Sequence, residues 1–292
     1  MSAMKLVEEF KDVPDFPIYV NCILTEPLCN DVISGSFNRR EFVKEHYNKM
    51  KSQFENESKN SISNSILYRE IICNPIKDYD TNYFFEQLTT TDAASKYSSS
   101  EYINRCLLNF ASYTRPGGGF LKGSVAQEEC LCRDSNLYNV LEHFTDEYNY
   151  NYQDKMFNEG LYYNFAIYSP DIKFIDTKNN SYIFDYDVIT CAAPNKGVYD
   201  RYNTDFQKYY NELKKRIEFV LNIAYENCVE TLILGAFGCG VFKNDPNVVA
   251  QTFKDLLPKY GFKNVIFAIP DTSKLDIFKN VFNNQLIWNF TN

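Results

Sequence analysis

The sequence has few histidines and lacks the cysteine spacing of zinc sites. Only two histidines, His46 and His143, occur in 292 residues, and no two cysteines have the C-x-x-C spacing of zinc sites. The nine cysteines are odd in number and lie mostly inside apolar runs such as NRCLLNF and VITCAAPN. We therefore expect reduced, buried thiols in a cytoplasmic or nuclear protein, and neither a metal site nor another cofactor.

Long apolar runs and a surplus of positive charge are also missing. No run reaches the roughly 18 apolar residues that a membrane helix needs, and the first residues, MSAMKLVEEFKDVPDF, lack the basic and apolar blocks of a secretory signal. The net charge is −8, which argues against a broad basic surface for duplex nucleic acid. An anionic ligand would have to be held by local donors, namely backbone N–H groups, helix N-termini and a few cations.

The length and composition suit one large domain with an extension. Hydrophobic residues make up 45% of the chain, which is enough for a well-filled core. Residues 37–64 are polar and helix-prone and end in an Asn/Ser-rich stretch, which indicates a linker near residues 55–66. We predict a mostly helical accessory segment at residues 1–65 and a main domain at residues 66–292.

The main domain alternates between apolar runs and amphipathic segments. The pattern predicts strands at 66–73, 103–110, 161–169, 186–193, 231–235 and 264–269, and helices at 91–97, 124–143, 204–228, 246–257 and 272–284. Thr91 and Asp92 are candidate caps of the first of these helices. Continuous apolar strands separated by helices indicate a mixed sheet that is covered on both faces, which is a three-layer α/β/α fold.

Glycine-rich loops follow two of the predicted strands. Asn109 closes one strand before the segment RPGGGF, and the strand at 231–235 leads into GAFGCGVFKNDP. Ligands of such folds lie outside the carboxyl ends of the strands, and consecutive N–H groups without Cβ atoms can hold phosphate oxygens. One such turn alone is more often only a tight turn. The order in GAFGCG also differs from the dinucleotide pattern G-x-G-x-x-G.

A glutamine and two glutamates follow the triple glycine after seven residues. Glu128 and Glu129 stand near the start of the predicted helix, where acidic residues are favoured by the helix dipole. Glu129 could form an exposed pair with Arg133 four residues later. Because neighbouring helical residues point about 100° apart, the two carboxyls would have different tasks at a site.

The segment LNFASYTRPGGGFLKGSVAQEECLCRDSNLY (108–138) resembles the signature of poly(ADP-ribose) glycohydrolases: GGG, six to eight residues, then QEE. It looks most similar to the microbial type. The segments at 167–195 and 232–246 fit the same family, and the match runs in order over roughly residues 66–270. The resemblance implies a macrodomain fold and metal-independent hydrolysis of the ribose–ribose O-glycosidic bond of poly(ADP-ribose). ADP-ribose would be the product, in the reversal of ADP-ribosylation and the DNA damage response.

The resemblance also implies roles for individual residues. Glu129 would be the acid/base, Glu128 would bind ribose hydroxyls, and Gln127 would help to position the site. Asn109 would contact a ribose, and Phe237 would pack on the distal ribose. The diphosphate and its riboses would be contacted by a larger set: Gly117, Gly118, Gly119, Gly235, Ala236, Phe237, Gly238, Cys239, Gly240, Val241 and Phe242.

Three functions remain open at this point. A poly(ADP-ribose) glycohydrolase is the leading interpretation, with the polymer or an ADP-ribosylated macromolecule as partner and a monomeric chain. A mono-ADP-ribosyl hydrolase would carry the same site, because the choice depends on how open the distal ribose pocket is. A reader that binds ADP-ribose without turnover has no need for the second glutamate. Surface Arg115, Lys122 and Lys196 could help to hold a polyanion, although a solvated role is more common for such residues.

Overall fold

Seven strands form one mixed sheet in a computed structural model, which describes residues 39–76, 80–154, 158–176 and 181–283. The strands are β1 (Ile66–Tyr68), β2 (Asn82–Glu86), β3 (Arg105–Phe110), β4 (Ala166–Asp176), β5 (Ser181–Cys191), β6 (Thr231–Leu234) and β7 (Asn264–Ala268). Their order across the sheet is β1-β4-β5-β3-β6-β7-β2. The five strands from β5 to β2 are parallel, whereas β4 and β1 run antiparallel to their neighbours.

Ten α-helices lie in the described ranges. They are α1 (Arg39–Gln53), α2 (Glu55–Asn64), α3 (Thr90–Lys96), α4 (Gln127–Arg133), α5 (Leu137–Leu141), α6 (Thr145–Asp154), α7 (Lys196–Tyr199), α8 (Phe206–Glu226), α9 (Pro246–Leu256) and α10 (Thr272–Asn283). Short 3₁₀ turns occupy Phe120–Lys122, Glu142–Phe144 and Leu257–Lys259. None of the helices in these ranges is both long and apolar enough to cross a membrane.

The core lies on both faces of the sheet. Successive strand residues point to opposite faces, so Leu108 joins the apolar cluster under α8, α9 and α10, and Leu107 joins the cluster under α1, α3, α4 and α5. Helix α8 buries an apolar stripe that includes Leu213, Ile217 and Val220. The predicted three-layer arrangement with a mixed sheet is confirmed.

The N-terminal part of the described chain packs on the same core. Val43 of α1 is buried among the residues under α4 and α5, and Ser61 of α2 donates a 2.6 Å hydrogen bond to the carbonyl of Pro170. The predicted linker at residues 55–66 is wrong, because this stretch forms helix α2. The division of the chain at residue 65 stays a prediction, and its residues 1–38 lie outside the described residues.

Several predicted elements differ in their bounds. The helical pattern at 124–143 splits into α4 and α5, because the chain between them pairs with β4 through Ser135 and Phe174. Helix α3 is capped by the side chain of Thr89, which accepts the N–H of Asp92, rather than by Thr91 or Asp92. Strand β2 was not predicted from the sequence, and the strand predicted at 161–169 begins only at Ala166.

Candidate active site

Strands β3 and β5 bring two polar side chains to the edge where the parallel strands end. Asn109 and Thr190 are partners in the register of these strands, and both are fully buried. The Nδ2 atom of Asn109 donates to Oγ1 of Thr190 at 3.3 Å and to Oε1 of Glu128 at 3.4 Å. Its Oδ1 atom is buried without a partner. A fully buried acceptor without a hydrogen bond destabilises the folded protein unless a ligand donates to it.

The side chain of Gln127 connects the start of α4 to the end of β3 by hydrogen bonds. Its Oε1 atom accepts the N–H of Phe110 at 2.8 Å, while Nε2 donates to the carbonyl of Leu108 at 2.9 Å and to Oγ1 of Thr90 at 3.1 Å. The amide therefore has both of its donors and its acceptor in use inside the protein. This geometry suits a positioning role better than direct contact with a ligand.

Glu128 points into the protein and is only 3% exposed. Its Oε2 atom accepts the N–H of Ser112 at 2.7 Å, and its Oε1 atom faces Asn109. Burial, assisted by the charge of Glu129, raises the pKa of the Glu128 carboxyl to about 8, although these hydrogen bonds oppose the shift. Glu128 is therefore mostly protonated at neutral pH.

Glu129 is 7% exposed and has two unlike carboxyl oxygens. Its Oε1 atom accepts the N–H of Gly119 at 2.7 Å. Its Oε2 atom is buried and has no hydrogen-bond partner. One oxygen is thus fixed by the protein, and the other is left for a reacting group. The alternative of an exposed pair with Arg133 is wrong, because the buried Arg133 donates instead to Ser124 O and Cys130 Sγ.

The triple glycine folds directly over both glutamates. Gly117 and Gly118 have φ values of +63° and +58°, a region that side chains disfavour. A Cβ atom on Gly118 would lie 2.6 Å from Oε1 of Glu129 and 2.8 Å from Oε2 of Glu128. Only glycine lets the backbone come this close to the carboxyls.

The loop after β6 forms the opposite wall of the site. Gly235 lies against the carbonyl of Ala268, where a Cβ atom would be 2.7 Å away, and Gly238 has φ +72°. Phe237 is fully buried, with its ring 5.6 Å from that of Phe110. The partly exposed ring of this loop belongs to Phe242, and both phenylalanines line the cavity beside the loop. The ribose contact predicted for Phe237 stays a prediction.

Two adjoining cavities lie between the loop after β6 and the start of α4. One of about 260 Å³ is lined by the loop after β6, including Gly238 and Phe242. The other, of about 210 Å³, continues toward the ends of β2 and β7. Phe110, Gln127 and Gly240 are among the residues that line both. The two cavities together form an elongated cleft, which suits an extended ligand.

Comparison with known proteins shows which family has this architecture. A family model described as the catalytic domain of microbial-type poly(ADP-ribose) glycohydrolase (PARG) matches residues 37–177. The enzyme of Deinococcus radiodurans, solved in complex with ADP-ribose, has 30% sequence identity and a TM-score of 0.69, with 78% of this chain and 98% of that chain covered. The chain belongs to the microbial-type poly(ADP-ribose) glycohydrolase family. The predicted family and its macrodomain-like fold are therefore confirmed.

A second PARG structure agrees with this assignment. The Thermomonospora curvata enzyme, solved with the inhibitor ADP-HPD, has 28% identity and a TM-score of 0.71, with 83% of this chain and 98% of that chain covered. No sequence among the curated proteins matches significantly. The family model begins at residue 37 and thus takes in α1 and α2, for which the sequence carried no recognised motif.

The other residues named from the PARG sequence lie in surroundings that do not indicate a catalytic role. Lys196 pairs with Asp200 at 2.5 Å, and Arg115 and Lys122 are exposed. Burial raises the pKa of the Cys239 thiol to about 12, which does not favour a nucleophile. The cysteines of the described ranges form no disulfide, and these ranges contain no group of His, Cys, Asp or Glu suited to a metal ion.

The far end of the cleft contains residues that the sequence did not reveal. Thr89, Asp271 and Lys274 line the second cavity. Asp271 accepts the N–H of Lys274 at 3.0 Å and its ammonium at 2.5 Å, which pulls the pKa of the carboxyl well below its usual range. Their position just after the carboxyl ends of β2 and β7 could have marked them as cleft residues. The sequence pattern did not predict β2, so this position was not recognised.

Proposed function

We propose that this PARG hydrolyses the ribose–ribose O-glycosidic bond of poly(ADP-ribose) and releases ADP-ribose. The observation that carries the proposal is the state of Glu129. One of its carboxyl oxygens is held by the Gly119 N–H, and the other is buried without a partner, in a carboxyl packed against the triple glycine. The neighbouring structures with ADP-ribose or the inhibitor ADP-HPD support the substrate class.

The two walls of the cleft suit different parts of an ADP-ribose unit. The diphosphate would lie along the loop from Gly235 to Phe242, because glycines there leave backbone N–H groups unscreened by side chains. The triple glycine would border it through close backbone approach, since the N–H groups of Gly118 and Gly119 already donate to Arg115 O and Glu129 Oε1. The second cavity, next to Asp271, would take the adenine. The distal ribose would then reach Glu128, Asn109 and the ring of Phe242.

Glu128 and Asn109 offer complementary groups to ribose hydroxyls. The unpartnered Oδ1 of Asn109 can accept a hydroxyl proton. A protonated Glu128 can donate one hydrogen bond and still accept another. Gln127 would act indirectly, since its amide is engaged with Phe110, Leu108 and Thr90.

The chemistry proposed for Glu129 is general acid/base catalysis. A protonated Glu129 gives its proton to the departing ribose oxygen while the bond from that oxygen to the anomeric carbon breaks. The electron pair of the bond leaves with the oxygen, so the remaining ribose takes oxocarbenium character. Water then adds to the anomeric carbon and returns a proton to the Glu129 carboxylate. We propose that no metal takes part, so activity should survive treatment with EDTA.

The test compares products from two substrates. The full chain is incubated with poly(ADP-ribose) and, separately, with mono-ADP-ribosylated protein, and free ADP-ribose is quantified by chromatography. We expect release from the polymer by the wild type. We expect Glu129→Gln to lose about 10²–10⁴-fold of the rate, with ADP-ribose affinity within about threefold of wild type by calorimetry, since the exchange of one oxygen for NH₂ leaves the diphosphate contacts in place.

A matched control removes the same charge elsewhere. Glu57→Gln changes an exposed glutamate of α2 and should retain full activity. Full activity of Glu129→Gln would reject the acid/base role. Release from the mono-ADP-ribosylated protein alone would favour a mono-ADP-ribosyl hydrolase, and binding without release from either substrate would favour a reader.

A further inference from the structure

Arg216 is a buried cation that no predicted role explains. It lies on α8 and is 2% exposed, which makes it one of the largest fully buried side chains. Its guanidinium donates to Oδ1 of Asn164 at 2.9 Å and to the carbonyls of Ala192 at 2.5 Å, Tyr162 at 2.9 Å and Leu161 at 3.5 Å. All of these acceptors are uncharged.

The charge of Arg216 has no carboxylate partner among the described residues. None of their ion pairs includes it, and besides the four hydrogen bonds above its guanidinium is a hydrogen-bond neighbour of the Cys191 thiol, which is also uncharged. A buried charge is costly unless it is paired. Carbonyl dipoles compensate only part of that cost, so a full positive charge is left inside an acidic protein of net charge −8.

The segments that Arg216 holds border the cleft. Ala192 precedes Ala193, which lines the cavity beside Gly238 and would lie 2.7 Å from a Cβ atom at that glycine. Tyr162 packs edge-on against Phe242 at a ring distance of 6.1 Å. The guanidinium therefore lies directly behind two parts of the wall proposed to meet the diphosphate and the distal ribose.

We infer that Arg216 is the internal counter-charge of the diphosphate subsite and a positioning residue for its wall. The bound diphosphate, carrying two negative charges, supplies the anion that the folded protein lacks around this cation. Because the medium between them is protein rather than water, the attraction is screened less than at a surface. The inference rests on the proposed function, since it takes ADP-ribose as the ligand.

Two variants test the charge in opposite ways. Arg216→Met removes the charge and keeps an extended side chain. Asn164→Asp keeps Arg216 and its fold contacts but places a carboxylate at the atom that Arg216 Nε already contacts at 2.9 Å. Asn164→Asp thus remains informative if Arg216→Met fails to fold. Lys215→Met is the matched control, because it removes the same charge from an exposed neighbour on α8 that pairs with Glu212.

The measurement is the dissociation constant of the full chain for ADP-ribose and for adenosine, which carries no phosphate. We expect both Arg216→Met and Asn164→Asp to weaken ADP-ribose binding about tenfold or more, and to change adenosine binding less than threefold. Arg216→Lys keeps the charge and should restore most of the ADP-ribose affinity. Lys215→Met should match the wild type for both ligands.

The outcomes separate this inference from the function on which it rests. Equal weakening of both ligands would show that Arg216 only maintains the fold of the cleft, and unchanged ADP-ribose binding in Asn164→Asp would also overturn the counter-charge role. Failure of the wild type to bind ADP-ribose at all would instead overturn the proposed function, and this inference with it.

Discussion

The backbone N–H of Gly119 donates a 2.7 Å hydrogen bond to Oε1 of Glu129. This bond ties the carboxyl to the triple-glycine turn and leaves its second oxygen free of any hydrogen bond. The turn and the glutamate are therefore one unit, in which the backbone sets the direction of the carboxyl. Changes in the turn should act on catalysis through Glu129 as well as on ligand binding.

Gly118→Ala should disable the site. The new methyl would lie 2.6 Å from Oε1 of Glu129 at a φ of +58°, so the carboxyls must move and the backbone is strained by about 1–2 kcal/mol. We expect at least a tenfold loss of polymer hydrolysis together with lower stability in urea denaturation. Gly240→Ala is the stability control, since a Cβ atom there has no neighbour within 4 Å. Equal stability of the two variants would contradict the packing argument.

Gln127→Ala should loosen the start of α4. It removes the side-chain partner of the half-buried N–H of Phe110 and of the carbonyl of Leu108, and we expect a loss of about 1–3 kcal/mol in the free energy of unfolding. Thr90→Val removes only one of the three hydrogen bonds of Gln127 and should cost less. If Gln127→Ala kept its stability and lost only ligand affinity, the side chain would be a direct binding group instead.

The protonated state of Glu128 predicts a pH-dependent stability. The folded state keeps this proton up to a pKa of about 8, whereas an unfolded carboxyl releases it near its ordinary value of 4.5. This stabilising contribution is therefore complete below about pH 4.5 and is lost as the pH rises toward 8. Between pH 5 and 9, wild type should lose stability relative to Glu128→Gln by an amount on the order of a few kcal/mol.

Urea denaturation at several pH values checks this difference. Glu57→Gln, at an exposed position of α2, should follow the wild type across the whole range. Parallel curves for the wild type and Glu128→Gln would show that Glu128 is ionised in the folded protein at neutral pH.

Substitution of the two phenylalanines in the loop after β6 should have different effects, because the two rings differ in burial. Phe237→Ala empties a fully buried position and should cost about 3–5 kcal/mol of stability. Phe242→Ala changes a partly exposed ring at the cleft, and should raise the KM for the polymer severalfold with a much smaller change in thermal midpoint. The reverse pattern would support Phe237 as the ribose contact.

Most of the secondary structure was predictable because its signals are local. The amphipathic period of α8 and the apolar run of β6 are contained within the elements themselves. The helix at residues 55–64 and strand β2 were missed. Helix α2 has a polar, Asn/Ser-rich sequence and is held in place by contacts with the distant β4, such as the bond from Ser61 to Pro170.

The sequence by itself determined the family and the candidate acid/base, because the triple glycine and the Gln-Glu-Glu stretch are separated by seven residues in one segment. Only the tertiary structure decided which atoms are free to react. The unpartnered oxygen of Glu129, the raised pKa of Glu128 and the uncompensated charge of Arg216 depend on burial and on distant partners. Asn164 and Ala192 reach Arg216 only once the sheet and α8 have packed together.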